Sequence, residues 1–471
     1  MATTDQREAG LGRWLHLASK RLARAAVVTL FATLLCGTAV AHADGTIPAI
    51  GVNSIQSDGI LLPNDDWNGL GELDFASQAG VQLYRARMQL NCVDPDHTGT
   101  FNFTAPSPNC YGLSYDALVG ALAAHGITLL PVLMNFAGNT PQPPTSDGAN
   151  GSPTTAEFAA FAAAAVARYG PGGTYWASCG CTPEPIQAWE IWNEENNGYW
   201  WDNDASASGY AAVFDATRTA LRSVDPHARV VVGGLVWAAD GQSFVKPEQM
   251  IAALTANNAN AFDAVAVHPY TEAQGEDAEG LADSAIDYIN EMAADLIKTT
   301  GRSATGGPRQ QIWVTEMGWS DTQAAPATIA RGFQDFIGDV NATARAADNI
   351  GPILWYMLSD NSTITTRADG LGLLYTNSNG SDAGPKPIWP VFAAAAQSEG
   401  TIALPPALSD TGPYVAATTE GASGSKGAKA SKEKILVRCV KVGRRHHKRL
   451  VCTRVKKHAK RKNAKHKKKS K

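Results

Sequence analysis

Short apolar runs alternate with longer amphipathic stretches between residues 46 and 398. The runs, each compatible with a buried strand, are TIPAIGVN, GVQLYRARMQL, ITLLPVLMNF, IQAWEIWN, ARVVVGGLVW, FDAVAVHPY, QIWVTEMGW and PILWYMLSD. Between them, apolar residues recur at three- and four-residue steps, which predicts helices over 155–169, 206–223, 282–299 and 326–347, and a last helix over about 388–397. Eight strand–helix units over roughly 350 residues predict an α/β fold, a (β/α)8 (TIM) barrel. The alternative is a doubly wound open sheet, but no Gly-rich phosphate loop follows the first run.

The first 43 residues have the layout of a secretory signal peptide. Five basic residues precede the charge-free run AAVVTLFATLLCGTAVAHA, and its end at Ala41-His42-Ala43 fits the A-x-A cleavage pattern, so we expect cleavage after Ala43. An N-terminal membrane anchor is the alternative, although the apolar run is shorter than a comfortable membrane span. The sequence therefore predicts a secreted protein whose barrel occupies residues 44–400.

Charge is distributed very unevenly beyond the leader. Residues 44–425 contain 14 Lys/Arg and 41 Asp/Glu, whereas residues 426–471 contain 21 Lys/Arg and a single acid, Glu433. Residues 401–430 are rich in Pro, Ser, Gly and Ala and predict a linker. Residues 431–471 then form a basic tail, in which two strand-like segments flank a basic turn. Such a tail favours polyanions, and we expect an anionic cell-envelope polymer as its partner, with nucleic acid as the alternative.

Cysteine usage agrees with export. Removal of the leader leaves six cysteines, an even number that suggests disulfides. Cys179 and Cys181 are separated by one glycine, so a bridge between them would be tight, and free thiols or another pairing stay open. No His lies near the cysteines at metal-ligand spacing, which argues against a metal site there. The other pairings that we expect are Cys92–Cys110 in the barrel and Cys439–Cys452 in a small hairpin of the tail.

Polar residues end several of the predicted strands. In a (β/α)8 barrel, such strand ends meet at one mouth, where catalytic groups lie. Burying an ionised carboxylate costs several kcal/mol unless it is paired, so an acid at the end of a buried strand either faces solvent or is held there for chemistry. Two facing carboxylates suit glycoside hydrolysis, since one can protonate the leaving oxygen while the other attacks the sugar or activates water. The strand ends are Arg85 and Arg87, Asn135, Asn193-Glu194, His268-Pro269-Tyr270, Thr315-Glu316 and Trp355-Tyr356.

The segments WEIWNE and VTEMGW resemble the acid/base and nucleophile motifs of clan A retaining glycoside hydrolases, and their wording is closest to families 39 and 5. The resemblance implies that Glu194 is the general acid/base, that Glu316 is the nucleophile and that Asn193 binds the sugar 2-hydroxyl. The families usually have Pro after the acid/base, whereas this chain has Glu195. That carboxyl would raise the pKa of Glu194 if it lies close, or else it points into solvent.

The resemblance also assigns supporting residues. His268 and Tyr270 match an H-x-Y at strand six whose Tyr bonds the nucleophile, Arg85 matches an Arg that steadies the nucleophile's charge, and Trp355 matches a sugar platform at strand eight. Each has a plainer interpretation: a barrel-core ion pair for Arg85, a satisfied interior histidine for His268, and packing for Tyr270. We also expect substrate contacts from three residues in loops near the mouth: Asn135, Trp200 and Trp201.

The sequence thus predicts a monomeric, secreted retaining β-glycosidase that acts on an oligo- or polysaccharide and requires no metal or organic cofactor. A catalytically inactive carbohydrate-binding envelope protein, or a polyanion binder that works through its basic tail, are the alternatives. The glycan and the choice between endo and exo action stay open, although several Trp near the mouth favour an extended cleft.

Overall fold

The computed structural model describes residues 45–53, 71–107, 114–138, 140–201, 206–237, 244–271, 273–303, 306–345, 348–360, 370–376, 382–404, 407–408, 436–442 and 449–455. The chain divides into two units, residues 1–414 and 415–471. The predicted signal peptide and the predicted disulfide partner Cys110 lie outside the described residues.

Eight parallel strands of the first unit form a closed barrel, and each is followed along the chain by a helix. The strands are β1 (Ile50–Asn53), β2 (Leu83–Gln89), β3 (Thr128–Met134), β4 (Ala188–Ile191), β5 (Arg229–Val236), β6 (Ala264–His268), β7 (Gln311–Met317) and β8 (Ile350–Tyr356). The helices are α1 (Glu72–Gln78), α2 (Tyr115–Ala124), α3 (Thr155–Tyr169), α4 (Ala207–Val224), α5 (Pro247–Thr255), α6 (Ala278–Thr300), α7 (Pro326–Asp339) and α8 (Trp389–Glu399). The strands are neighbours in chain order, and β8 pairs with β1 to close the barrel.

The predicted barrel is confirmed: seven of the eight apolar runs contain one barrel strand each, and the eighth, which begins at Pro352, overlaps β8. The helix bounds also agree closely where a cap is visible in the sequence. Thr154 accepts a hydrogen bond from Glu157 N while the Glu157 side chain accepts from Thr154 N, a capping box that begins α3 where the pattern predicts it. Helix α6 begins earlier than predicted because Asp277 caps it, and α7 passes into a wider π turn over Val340–Ala344.

Side chains alternate between two apolar layers along the strands. One layer fills the barrel interior with small and branched residues around Trp313, and the other lies between the strands and the helices. In β4, for example, Ala188 belongs to the inner layer while Trp189 and Ile191 belong to the outer layer. A residue's place in this alternation therefore decides whether it can reach the barrel mouth.

The barrel's amino-terminal end is closed by a short antiparallel pair, Thr46–Pro48 with Thr401–Ala403. The predicted linker therefore begins too early, because its first residues pair with the barrel unit and Leu404 is buried in the inner apolar layer. Other short elements lie near the opposite end: two-stranded sheets of Phe136–Ala137 with Thr140–Pro141 and of Leu374–Thr376 with Asp382–Pro385, and the helices Leu90–Val93, Ala149–Gly151 and Gly198–Trp201.

The second unit contains an antiparallel hairpin of Leu436–Val442 and Arg449–Val455, in which Cys439 stands opposite Cys452. In the barrel unit, Cys179 and Cys181 form a disulfide, so of the open alternatives the direct bridge is the one adopted. Cys92 is also disulfide-bonded. Within the described part of the chain, no helix has the length and apolar character needed to cross a membrane.

Candidate active site

A buried guanidinium organises the charged residues at the carboxyl end of the barrel. Arg85 of β2 donates from Nε and Nη2 to both oxygens of Glu190 at 2.7 Å, and from Nη1 to Glu316 Oε1 at 2.6 Å. Its Nη2 also donates to Asn193 Oδ1 at 2.8 Å. Since both acids and the Arg are almost fully buried, the one cation offsets part of the cost of burying two carboxylates. Arg85 therefore fits both interpretations made from the sequence. It forms an ion pair with Glu190 in the barrel core, and it also contacts Glu316.

Glu316 reaches the barrel interior because strand β7 is irregular. Trp313 faces the interior and Val314 faces the helices, so strict alternation would put Thr315 inside and Glu316 outside. The register between β7 and β8 shifts between Val314 and Met317. Such an irregularity re-aims side chains, and here both Thr315 and Glu316 hydrogen-bond to interior residues.

Glu194 lies just beyond β4 and faces Glu316 across the mouth. His268 Nδ1 is 2.9 Å from Glu194 Oε1 and 3.6 Å from Glu316 Oε2. One oxygen of Glu194, one ring nitrogen of His268 and one oxygen of Glu316 lie within 4.8 Å of one another. The backbone at Trp192 and Glu194 has positive φ, 72° and 49°. Two such residues so close together at a strand end indicate stored strain of the kind that clusters at functional sites.

Three further contacts lie around this pair of acids, and one of them is made to Glu316 itself. The Tyr270 hydroxyl donates to Glu316 Oε2 at 3.0 Å. The Thr315 hydroxyl donates to Glu190 Oε1 at 3.3 Å, and its oxygen is 3.2 Å from His268 Nε2. His268 and Tyr270, which resemble the H-x-Y of the families above, are therefore placed against Glu194 and Glu316 by direct hydrogen bonds.

Burial and charge act in opposite directions on Glu316. Burial would raise the pKa of its carboxyl, but the charge of His268, the charge of Arg85 and the hydrogen bonds from Tyr270 and Arg85 hold that pKa below its ordinary value. Arg85 behaves in the same way, since burial would lower its pKa while Glu190 and Glu316 raise it above its ordinary range. Glu316 is consequently ionised at neutral pH, which is the state that a nucleophile requires.

Two consecutive glycines of β5 make room for this arrangement. A β-carbon on Gly234 would lie 1.9 Å from His268 Nε2, and one on Gly233 would lie 2.2 Å from Glu195 Oε2. Glu195 is 0% exposed, so of the two alternatives left open for it, the one in which it points into solvent is wrong. The nearby Tyr210 hydroxyl donates to Ile191 O, and neither carboxyl oxygen of Glu195 has a hydrogen-bond partner among the described residues. Burial first, and then the charge of Glu190 and Glu194, raises the pKa of Glu195 well above its ordinary value.

The predicted aromatic contacts are placed very differently from one another. Trp200 is partly exposed, and the guanidinium of Arg87 lies 4.8 Å from the Phe136 ring and 5.6 Å from the Trp200 ring. Trp201 is 5% exposed and packs against the rings of Trp192 and Tyr210, so the structure does not bring it to the mouth.

Trp355 is also directed away from the mouth. It is 1% exposed, its indole donates to Leu371 O, and its ring packs on Phe333 of α7 in the layer between strands and helices. The next residue, Tyr356, faces the interior instead, with its ring 6.3 Å from that of Tyr270. The alternation of β8 therefore presents Tyr356, one position later than predicted.

Asn135 is buried just after β3. Its Oδ1 accepts from Asn91 N at 3.0 Å, while its Nδ2 has no hydrogen-bond partner among the described residues. The structure therefore shows Asn135 tying the segment after β2 to the segment after β3.

Three residues of the site were given no role from the sequence. Thr315 and Tyr356 were named only as strand ends and Glu190 was not named, yet all three lie at carboxyl ends of barrel strands. Glu190 could have been found, because a second acid inside the buried run IQAWEIWN requires a cation of the kind that Arg85 supplies. Tyr356 and Thr315 could have been found from alternation, whereas the inward direction of Glu316 depends on an irregularity that has no clear pattern in the sequence.

The arrangement can place the ionised carboxylate of Glu316 and the more exposed carboxyl of Glu194 on either side of one bond of a bound substrate. Glu194 is 14% exposed and Glu316 is 5% exposed, so Glu194 can exchange protons with solvent while Glu316 is sheltered. The same two acids with His268 form a possible donor set for a metal ion, although both Glu316 oxygens already accept hydrogen bonds from Arg85 and Tyr270.

Comparisons with known proteins bear on the fold. No protein-family model matches the chain, and neither does any curated protein. Among solved structures, the chain is similar to a glucosidase from Croceicoccus marinus, with 13% identity, a TM-score of 0.51, and coverage of 77% of this chain and 71% of that chain. It is also similar to a family 51 alpha-L-arabinofuranosidase from Bifidobacterium longum, with 13% identity, a TM-score of 0.51, and coverage of 76% and 74%.

A third similar structure is a family 39 glycoside hydrolase from Bacteroides cellulosilyticus, with 16% identity, a TM-score of 0.48, and coverage of 74% of this chain. The chain spans only 63% of the length of that enzyme. The two likenesses with TM-scores of 0.51 show, at 13% identity, a fold that the chain shares with that glucosidase and that arabinofuranosidase.

Proposed function

We propose that this protein is a retaining β-glycosidase that uses Glu316 as nucleophile and Glu194 as general acid/base. The observation that carries the proposal is the separation of at most 4.8 Å between an oxygen of Glu194 and an oxygen of Glu316. In retaining glycosidases the two carboxyl groups are about 5–5.5 Å apart, whereas inverting enzymes need about 6.5–9.5 Å to admit a water molecule. The separation of Glu194 and Glu316 is thus closer to the distance of retaining enzymes than to that of inverting enzymes.

In the first step, the ionised Glu316 attacks the anomeric carbon and forms an ester bond to it. The bond between that carbon and the leaving oxygen breaks, and the leaving oxygen takes the proton of Glu194. In the second step, Glu194 removes a proton from water, the resulting oxygen attacks the anomeric carbon, and Glu316 leaves as a carboxylate. Arg85 and Tyr270 stabilise the charge that Glu316 carries before and after this cycle.

Asn193 and Trp200 are proposed to bind the sugar. Arg85 holds the Asn193 carbonyl oxygen, which fixes the orientation of its amide at the end of β4 next to Glu194. Trp200 is partly exposed in the loop after β4 and can offer a ring face to a pyranose.

The test is hydrolysis of aryl β-glycosides and of a β-linked oligosaccharide panel by the wild type and three variants. We expect Glu316→Gln to reduce kcat by at least about a thousandfold and to trap no covalent 2-fluoroglycoside. Glu194→Ala should lose activity on substrates with poor leaving groups, which need its proton in the first step. Azide should restore turnover of substrates with good leaving groups, because it replaces water in the second step without a general base. Glu279→Gln, at an exposed acid on α6, is the matched control and should be unaffected. A wild type that cleaves nothing and traps no fluorosugar would favour a carbohydrate-binding protein instead.

We also propose that the enzyme is exported and held near an anionic cell envelope. The leader layout and the excess of 21 Lys/Arg over one acid in residues 426–471 support this localisation.

A further inference from the structure

Trp237 is the first residue after β5, and it is 47% exposed although Trp is usually well buried. The mechanism proposed above gives Trp237 no part. What it could bind depends on which side of the Glu194–Glu316 pair it occupies, and the contacts of the neighbouring residues define that side.

Hydrogen bonds tie Trp237 to the segment that carries Glu194. Asn196, two residues beyond Glu194, accepts from Val236 N at 3.1 Å and donates from Nδ2 to Val236 O at 2.9 Å. Val236 also stands opposite His268 in the strand register, and His268 contacts Glu194. Trp237 therefore follows a residue that is bonded to the Glu194 segment and paired with His268, which puts it on the Glu194 side of the acid pair.

The Trp237 ring has a firm support. Its centroid lies 5.0 Å from that of Tyr288 at an interplanar angle of 65°. Tyr288 is buried in α6, and its hydroxyl donates to Leu235 O at 2.9 Å. A ring held at its edge by an anchored tyrosine loses little conformational entropy when a ligand stacks on its open face.

The opposite side of the acid pair is already a pocket. Its lining comes from β1, β2 and β3 and includes Asn53, Arg85 and Arg87, together with Asn193 and Glu316. The pocket is small, and because the proposed nucleophile lines it, it marks the side on which the reacting sugar meets Glu316. Trp237 follows β5 and lies beyond Glu194 on the other side.

We propose that Trp237 is the stacking platform for the sugar on the leaving-group side, so that the natural substrate carries a glycosyl leaving group with an open apolar face. This inference rests on the proposed function. It implies cleavage between sugars of an oligo- or polysaccharide rather than release of a small aglycone.

The test compares Trp237→Ala with Trp237→Phe and the wild type on matched substrates. The pairs are β-glucosyl fluoride with cellobiose, β-xylosyl fluoride with xylobiose, and β-mannosyl fluoride with mannobiose. Fluoride is too small to reach Trp237, so kcat/KM on the fluoride should stay within about twofold, while kcat/KM on the disaccharide should fall at least tenfold in Trp237→Ala. Trp237→Phe should recover most of the loss, because it restores an aromatic face.

The outcomes separate the two proposals. If the wild type cleaves a fluoride but Trp237→Ala lowers both members of the pair equally, or neither, the platform is wrong and the glycosidase stands. A wild type that cleaves a fluoride but no disaccharide also overturns the platform. If it cleaves neither member of any pair, the proposed function fails and the platform fails with it.

Discussion

At the scale of single residues, the charge of Arg85 is divided between Glu190 and Glu316, the proposed nucleophile. Its two bonds to Glu190 fix the guanidinium plane, and the remaining Nη1 reaches Glu316. This geometry needs several N–H donors in one plane, which a guanidinium has and an ammonium lacks, so a lysine could not replace Arg85. Glu190 therefore acts as a positioning residue, because it determines where the cation beside Glu316 lies.

We expect Glu190→Gln to destabilise the barrel by about 3–5 kcal/mol, the usual cost of leaving one partner of a buried ion pair uncompensated. Arg85→Gln should cost a similar amount, and the double variant should cost clearly less than the two single losses added together. Urea unfolding of the four proteins measures this coupling. Additive losses would mean that Arg85 and Glu190 do not act as a pair.

Tyr270→Phe tests the hydrogen bond to Glu316. That bond favours the ionised carboxylate, so its loss should raise the pKa of Glu316 from its lowered position. Because Glu316 must be ionised to attack, the acid limb of the kcat/KM profile should move to higher pH, by about one unit if the bond is worth about 1.5 kcal/mol. Tyr199→Phe, at an exposed tyrosine, should leave the limb in place. An acid limb that stays or moves to lower pH in Tyr270→Phe would contradict the assignment.

Glu195 makes the protein less stable as pH rises. Its pKa is raised in the folded chain, so the folded form keeps a proton that the unfolded form releases above the ordinary value of 4.5. The unfolded state then binds fewer protons, and stability falls with pH through that range. Gln has no charge to gain, so Glu195→Gln should melt a few degrees higher than wild type at pH 7, with a smaller difference at pH 4. Calorimetry at several pH values measures this; a difference that does not grow with pH would show that Glu195 is ionised in the fold despite Glu190, Glu194 and Tyr210 around it.

The sequence identifies the main acids of the proposed site but not their environment. Asn193, Glu194 and Glu316 are visible because they end otherwise apolar runs. Trp355 was preferred over Tyr356 on resemblance, although the alternation of β8 separates them, with Leu354 inside and Trp355 outside. The burial of Glu195 could not be predicted, because it depends on two glycines in another strand.

At the scale of elements, the ends of β4, β5 and β7 depart from regular strand geometry together. β4 ends in residues with positive φ, β7 shifts register against β8, and β5 shifts register against β6 around Gly233 and Gly234. These departures direct Glu194, His268 and Glu316 to one point. Periodicity predicts the strands but not such irregularities, because they result from contacts between strands that are distant in sequence.

Gly234→Ala should disrupt this junction. The added methyl would overlap His268 Nε2, so the ring must move away from Glu194, and we expect at least a tenfold loss of kcat and about 1–3 kcal/mol of stability. Gly338→Ala is the matched control, since that helical glycine has open space around it and alanine favours helix by about 1 kcal/mol. Both variants are compared by steady-state kinetics and urea unfolding. Full activity in Gly234→Ala would show that His268 need not stay where it is.

At the scale of the whole molecule, the barrel was predictable because its signal is repeated eight times along the chain. Each apolar run and each amphipathic helix adds to the same pattern, so an error in one element does not change the fold. Boundaries were less predictable, as Thr401–Ala403 shows, because pairing with Thr46–Pro48 at the far end of the unit is not encoded in local composition.

The two units also carry opposite net charge. We therefore expect the first unit to carry the hydrolytic activity and the second unit to bind polyanions. Truncation after Tyr414 removes the second unit and leaves the whole barrel unit. We expect the truncated protein to keep its hydrolytic rate and melting temperature but to pass through immobilised dextran sulfate, because residues 44–414 carry 40 acids against 14 bases. The full chain should bind in about 0.1 M salt and elute well below 1 M, as the Debye length shrinks from about 10 to 3 Å. Elution of both proteins at the same salt concentration would mean that the basic tail does not bind polyanions, while a loss of hydrolysis on truncation would mean that the tail also serves the barrel.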